Sequence, residues 1–87
     1  MNLELLEKLT QTFGPSGYED KIRAAIREEI QDLADEIRVD PLGSLVACRK
    51  GSHKAGKNIL LAAHMDEIGL MVTHVEEKGF MRFTSIG

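Results

Sequence analysis

His64 and Asp66 are separated by one residue in the run Ala63-His64-Met65-Asp66-Glu67-Ile68-Gly69. On an extended backbone, residues i and i+2 project to the same side, so this imidazole and this carboxylate share a face. A metal-bound histidine passes its second ring N–H to a carboxylate, which fixes the tautomer and raises ligand basicity. His64 and Asp66 therefore have the composition of one metal ligand and the group that orients it. By spacing alone the signal is weak, and the pair better describes a histidine satisfied by an aspartate at a strand end.

The other chemical candidates are weaker. Gly51-Ser52-His53-Lys54-Ala55-Gly56-Lys57 follows a phosphate-binding loop up to the lysine, but Asn58 stands where a Ser or Thr would hold magnesium. Such a loop must also open a helix, whose N-terminus receives the phosphate, and here the β-type run Asn58 to Ala63 follows. A flexible basic connection is expected instead. Glu28-Glu29, Asp35-Glu36 and Glu76-Glu77 are adjacent in sequence, so their carboxylates should diverge onto solvated faces. His74 reads as a strand residue outside any ligand set, and His53 as an exposed loop residue. Cys48 alternates with apolar neighbours and reads as a buried structural thiol, while Met65, Met71 and Met81 read as packing.

The elements that must position His64 follow from hydrophobic period. Leu3, Leu6, Leu9 and Phe13 form one helical stripe that Gly14-Pro15 stops. Ser16 precedes Glu19 by three residues, the spacing of a capping box at a second helix start. Ile22, Ala25, Ile26, Ile30 and Leu33 are that helix's buried stripe, with Lys21, Arg23, Arg27 and Glu28 towards water. The period then changes. Ile37 and Val39 lead into the turn Asp40-Pro41-Leu42-Gly43, and Ser44 to Arg49 returns as a strand. Asn58 to Ala63 is apolar on both faces, as a central strand covered on both sides would be. Gly69 to Val75, a turn at Glu77-Lys78-Gly79 and Phe80 to Ser85 complete a hairpin. The expected architecture is α/β: two N-terminal helices, then about five strands.

Composition narrows the class further. Eighty-seven residues allow one small domain with a thin core. No run of about 18 apolar residues is present to cross a membrane, and Met1-Asn2-Leu3-Glu4 does not open a secretory signal. A net charge of −3 argues against a nucleic-acid partner. One cysteine excludes an internal disulfide framework and a cysteine-rich zinc module. The expected setting is cytoplasmic.

Gly14-Pro15-Ser16-Gly17-Tyr18-Glu19, Asp40-Pro41-Leu42-Gly43-Ser44-Leu45 and the run Ala63 to Gly69, in that order, give the chain a specific likeness. It resembles the N-terminal segment of the tetrahedral aminopeptidases. These are dinuclear metallo-aminopeptidases that include glutamyl and deblocking enzymes, some of them labelled endoglucanases. The resemblance implies that residues 1–87 are the N-terminal portion of the catalytic domain within a larger mixed sheet. Gly79 to Gly87 would then lie just before the family's inserted β-rich dimerisation domain. It implies His64 as a ligand of one of two divalent metals, zinc or cobalt, Asp66 as its orienter, a peptide substrate and a homo-oligomer. Glu67 shares the motif without an assigned role. The family is several times longer, and its bridging aspartate, catalytic glutamate and remaining ligands have no counterpart in these 87 residues.

That shortfall has a magnitude. A four-ligand structural zinc site gains about 10–16 kcal/mol. One histidine's even share is roughly 3–4 kcal/mol, or millimolar affinity. The isolated chain is therefore expected to be inactive. Two rivals carry different expectations. A catalytically silent fragment would associate through exposed strand edges. An endoglucanase would need two carboxyl groups about 5–10 Å apart across a sugar, and no such pair is set up by the sequence.

Overall fold

The computed structural model describes residues 2–87. Helix α1 spans Leu3–Gln11, and the Asn2 side chain caps it by accepting the Leu5 N–H at 3.1 Å. The helix ends before Phe13, whose ring lies 56% exposed with the Lys21 ammonium 5.8 Å from its centre. Helix α2 spans Asp20–Ile30 and places Ile22, 4% exposed, beneath the buried Gly14 and Pro15. The expected stripe is shorter than its sequence suggested. Leu33 lies past the helix end and is 60% exposed.

Two details of α2 correct the sequence reading. Its N-cap is Glu19, with no side-chain cap bond, so the capping box from Ser16 does not form. Arg23 does not face water freely. Its Nε donates to the Gly43 carbonyl at 2.8 Å, and its Nη1 reaches Asp20 at 2.7 Å, which ties α2 to the turn between the first two strands. The acidic pair at the other end also behaves differently. Glu28 and Glu29 converge on Lys8 of α1, at 2.7 and 2.8 Å, and together raise the lysine's pKa above its ordinary value.

Strands β1, Glu36–Val39, and β2, Leu45–Cys48, pair antiparallel from Glu36 opposite Cys48 to Val39 opposite Leu45. Asp40 builds their turn: its carboxylate accepts the Leu42 and Ser44 N–H groups at 3.0 and 2.8 Å. Gly43 completes that turn at φ +93°, a left-handed conformation that favours glycine. Cys48 is exposed rather than buried, because one face of this two-stranded ribbon has no layer over it. Strands β3, Gly69–Val75, and β4, Met81–Ile86, form the second hairpin, with a bulge between Val72 and His74. His74 stands opposite Arg82.

Among the described residues the architecture is thus α/β with two helices and four strands in two separate two-stranded sheets, not about five strands. The missing one is Asn58 to Ala63. It has a central strand's composition, but a strand exists only through hydrogen bonds to a neighbour, and none pairs with it among the described residues. Ile59, Leu60 and Leu61 are 86%, 89% and 91% exposed. No helix follows Lys57 either, which removes the phosphate-loop context. The radius of gyration, 17.8 Å, exceeds the roughly 12 Å of a compact domain of this length. Only Ile22 is a buried hydrophobic residue among those described.

Candidate functional site

The His64 motif is held by a junction between distant parts of the chain. Pro15 pairs with Glu67 in an isolated parallel bridge. The Glu67 N–H donates to the Gly14 carbonyl at 2.9 Å, and the Glu67 carboxylate accepts the Gly14 N–H at 3.1 Å. Close approach requires glycine on both sides. A Cβ at Gly14 would lie 2.9 Å from Ile22 Cβ, and one at Gly69 would lie 2.7 Å from Pro15 Cβ. Glu67, which had no assignable role in the sequence, therefore acts as a backbone clamp. No local spacing signals that role, since its partner is 53 residues away.

On this junction the imidazole and carboxylate meet as the i, i+2 spacing predicts. His64 Nδ1 lies 2.9 Å from Asp66 Oδ1. The Ser16 hydroxyl donates to the other oxygen, Asp66 Oδ2. The Ser16 hydroxyl first, and the His64 ring second, hold the Asp66 carboxyl below its ordinary value of 3.8. An ionised Asp66 accepts from Nδ1–H, which leaves Nε2 with a free lone pair. No hydrogen bond to Nε2 occurs among the described residues, and the ring is 85% exposed.

His64 and Asp66 line a polar cleft of about 210 Å³, together with Glu19, Gly43, Ser44 and Leu45. The three sequence motifs, far apart in the chain, thus converge on one cavity. The Asp40 turn supplies one wall. Glu19 supplies part of another, held by the Gly17 N–H at 2.9 Å. No group of three metal-ligating side chains forms among the described residues, and His74 joins no such group. A nitrogen donor backed by a carboxylate is chemistry that suits zinc or a neighbouring divalent metal. The larger groove, about 350 Å³ beside Phe13, Tyr18 and Met71, contains no histidine.

This architecture and the convergence of the three motifs on one cleft are those of a segment of a larger α/β domain. The chain belongs to the M42 glutamyl aminopeptidase family, whose model matches residues 43–87. A protein of Acetivibrio thermocellus, provisionally described as an aminopeptidase, is 55% identical over 84 residues, covering 97% of this chain and 24% of that protein. Among solved structures, an aminopeptidase from Desulfurococcus kamchatkensis superimposes with a TM-score of 0.87 at 45% identity, over 97% of this chain and 23% of its own. A Thermotoga maritima structure described as an endoglucanase gives a TM-score of 0.83 at 38% identity, over 94% of this chain and 26% of its own. The chain therefore spans about a quarter of the length of these relatives. Among the described residues, no helix is long and apolar enough to cross a membrane.

Proposed function

We propose that this chain is the N-terminal portion of the catalytic domain of a metal-dependent aminopeptidase, a hydrolase that removes N-terminal residues from peptides. The observation that carries this reading is the 2.9 Å contact of His64 Nδ1 with Asp66, which leaves Nε2 open at the cleft where the three motifs converge. His64 is one metal ligand and Asp66 fixes its tautomer. The remaining ligands and the proton-transfer carboxylate come from polypeptide beyond these residues, in keeping with relatives about four times longer. When bound, a pair of divalent metals, zinc or cobalt, supplies the activated water and the polarised carbonyl of two-metal hydrolysis. Within this segment, Asp66 accepts from Nδ1–H and so turns Nε2 of the neutral ring towards the cleft, and the Asp40 turn holds the cleft wall. By family resemblance, the working protein is a cytosolic homo-oligomer, and residues 1–87 end near its dimerisation insert.

A glycosidase reading fits less well despite the endoglucanase-named neighbour. Asp66 already spends both oxygens on His64 and Ser16, and Glu67 spends one on the Gly14 N–H. The bare run Ile59 to Leu61 favours association as the role of the 87-residue chain taken alone. The test compares two lengths. The full-length protein should release N-terminal residues from peptides, lose that activity on chelation or in His64→Ala, and leave cellulose intact. The 87-residue chain should do none of these, and should run above monomer mass on native mass spectrometry. Peptide release that survives both chelation and His64→Ala would refute the metallopeptidase reading.

A further inference from the structure

We infer that Ser16 is a positioning residue of this site, acting on His64 through Asp66; the assignment rests on the metallo-aminopeptidase reading and names a part of it. His64 is 85% exposed, so packing does not fix its ring. Its Nδ1 has two acceptors, both on Asp66: the carboxylate Oδ1 at 2.9 Å, the shorter contact, and the backbone carbonyl at 3.1 Å, so the carboxylate plane shares in setting the ring's orientation. A carboxylate held at one oxygen still turns about its Cβ–Cγ bond; held at both, its plane is fixed. The second hold is the Ser16 hydroxyl on Oδ2.

Ser16 suits this task because the backbone immediately before it is anchored. It follows the buried Gly14-Pro15 pair, which is clamped to Glu67 through two hydrogen bonds and the parallel bridge. The hydroxyl is not spent on helix α2, whose N-cap is Glu19 without a side-chain bond. The order of dependence runs from buried backbone to Ser16, from Ser16 to the carboxylate plane, and from that plane to the direction of Nε2. Serine supplies a short, single donor there. Alanine removes the donor, threonine keeps it, and cysteine keeps the size with a much weaker donor.

The experiment uses the full-length protein and two readouts besides peptidase activity. In the metal-free protein, ring ¹⁵N shifts report the His64 tautomer. In the reconstituted protein, competition with a chelator gives the zinc dissociation constant. Loss of an outer partner of a metal-binding histidine weakens affinity about 10–100-fold. Ser16→Ala should fall at the low end, about tenfold, with a smaller share of the Nδ1–H tautomer of His64 and an unchanged circular dichroism spectrum. Ser16→Thr should restore both readouts. If Ser16→Ala does not fold, Ser16→Cys takes its place with the same expected loss. A wild-type tautomer and zinc affinity in a folded Ser16→Ala or Ser16→Cys would overturn the assignment. If zinc affinity in the parent protein is unchanged by His64→Ala, the metallopeptidase reading fails instead. The metal-free tautomer then still decides whether Ser16 orients His64.

Discussion

Two neighbouring stretches of one chain are held in opposite ways. Asp66 to Gly69 is stitched to Gly14 to Ser16 by backbone and side-chain hydrogen bonds, over the buried Ile22. Asn58 to Ala63, immediately before His64, has no strand partner and leaves three large apolar side chains almost fully exposed. The segment thus contains what aims the histidine but not what covers the apolar run leading to it. Orientation of a ligand needs a few well-placed donors, whereas burial of a central strand needs whole layers of structure. A chain a quarter the length of its relatives has the first and not the second.

The largest effect that would sharpen this contrast lies in the exposed run Asn58 to Ala63. Leu60→Ala in the full-length protein should cost about 2–5 kcal/mol, as for a buried leucine. In the 87-residue chain the same change should stay within about 0.5 kcal/mol. Denaturant unfolding of both lengths checks this, and equal costs would mean that the two regions do not differ. The next effect breaks the stitched region. Gly14→Ala drives a Cβ against Ile22 and should cost about 1–3 kcal/mol by overpacking, with loss of the Pro15–Glu67 bridge visible by amide exchange.

Removing the clamp itself is milder. Glu67→Ala leaves the Gly14 N–H without its carboxylate and should cost about 1.5 kcal/mol. Glu67→Gln keeps a carbonyl acceptor and should cost less; if the two were equal, the charge rather than the bond would be at work. The smallest effect belongs to the Asp40 turn, whose wall faces the same cleft. The Ser44 N–H, first among several backbone donors, lowers the Asp40 pKa below its ordinary 3.8. The depressed value means its stabilisation is fully present above 3.8 and is lost as pH falls through the lower folded value. Amide exchange at Leu42 and Ser44 should therefore quicken in that acid window, and Asp40→Asn should flatten the change.

How much of this was legible in the sequence depends on the distance between partners. The His64–Asp66 contact is two residues long and was visible as an i, i+2 spacing, although no strand forms at these residues. The β3–β4 hairpin was equally local: Gly79, at φ +86°, marks its turn, and β3 runs over Gly69–Val75 as expected. Ser16 was misread because its spacing to Glu19 fits a capping box, while its partner Asp66 lies 50 residues away. Glu28 and Glu29 were expected to diverge, yet Lys8 on another helix draws them together. Cys48 and Asn58 to Ala63 were read from alternation and apolar runs. Those patterns state which surface is apolar but not whether a neighbour covers it.

The parallel bridge between Pro15 and Glu67 also orders events in time. Bringing together positions 53 residues apart costs about 3.5 kcal/mol of chain entropy before any bond across the gap forms. Helix α1 and both hairpins need no such closure, since their contacts are local. Contacts of long sequence separation form late in folding. His64 therefore finds Asp66 early, through a contact two residues long, and the hold of Ser16 on that carboxylate arrives only when the loop shuts.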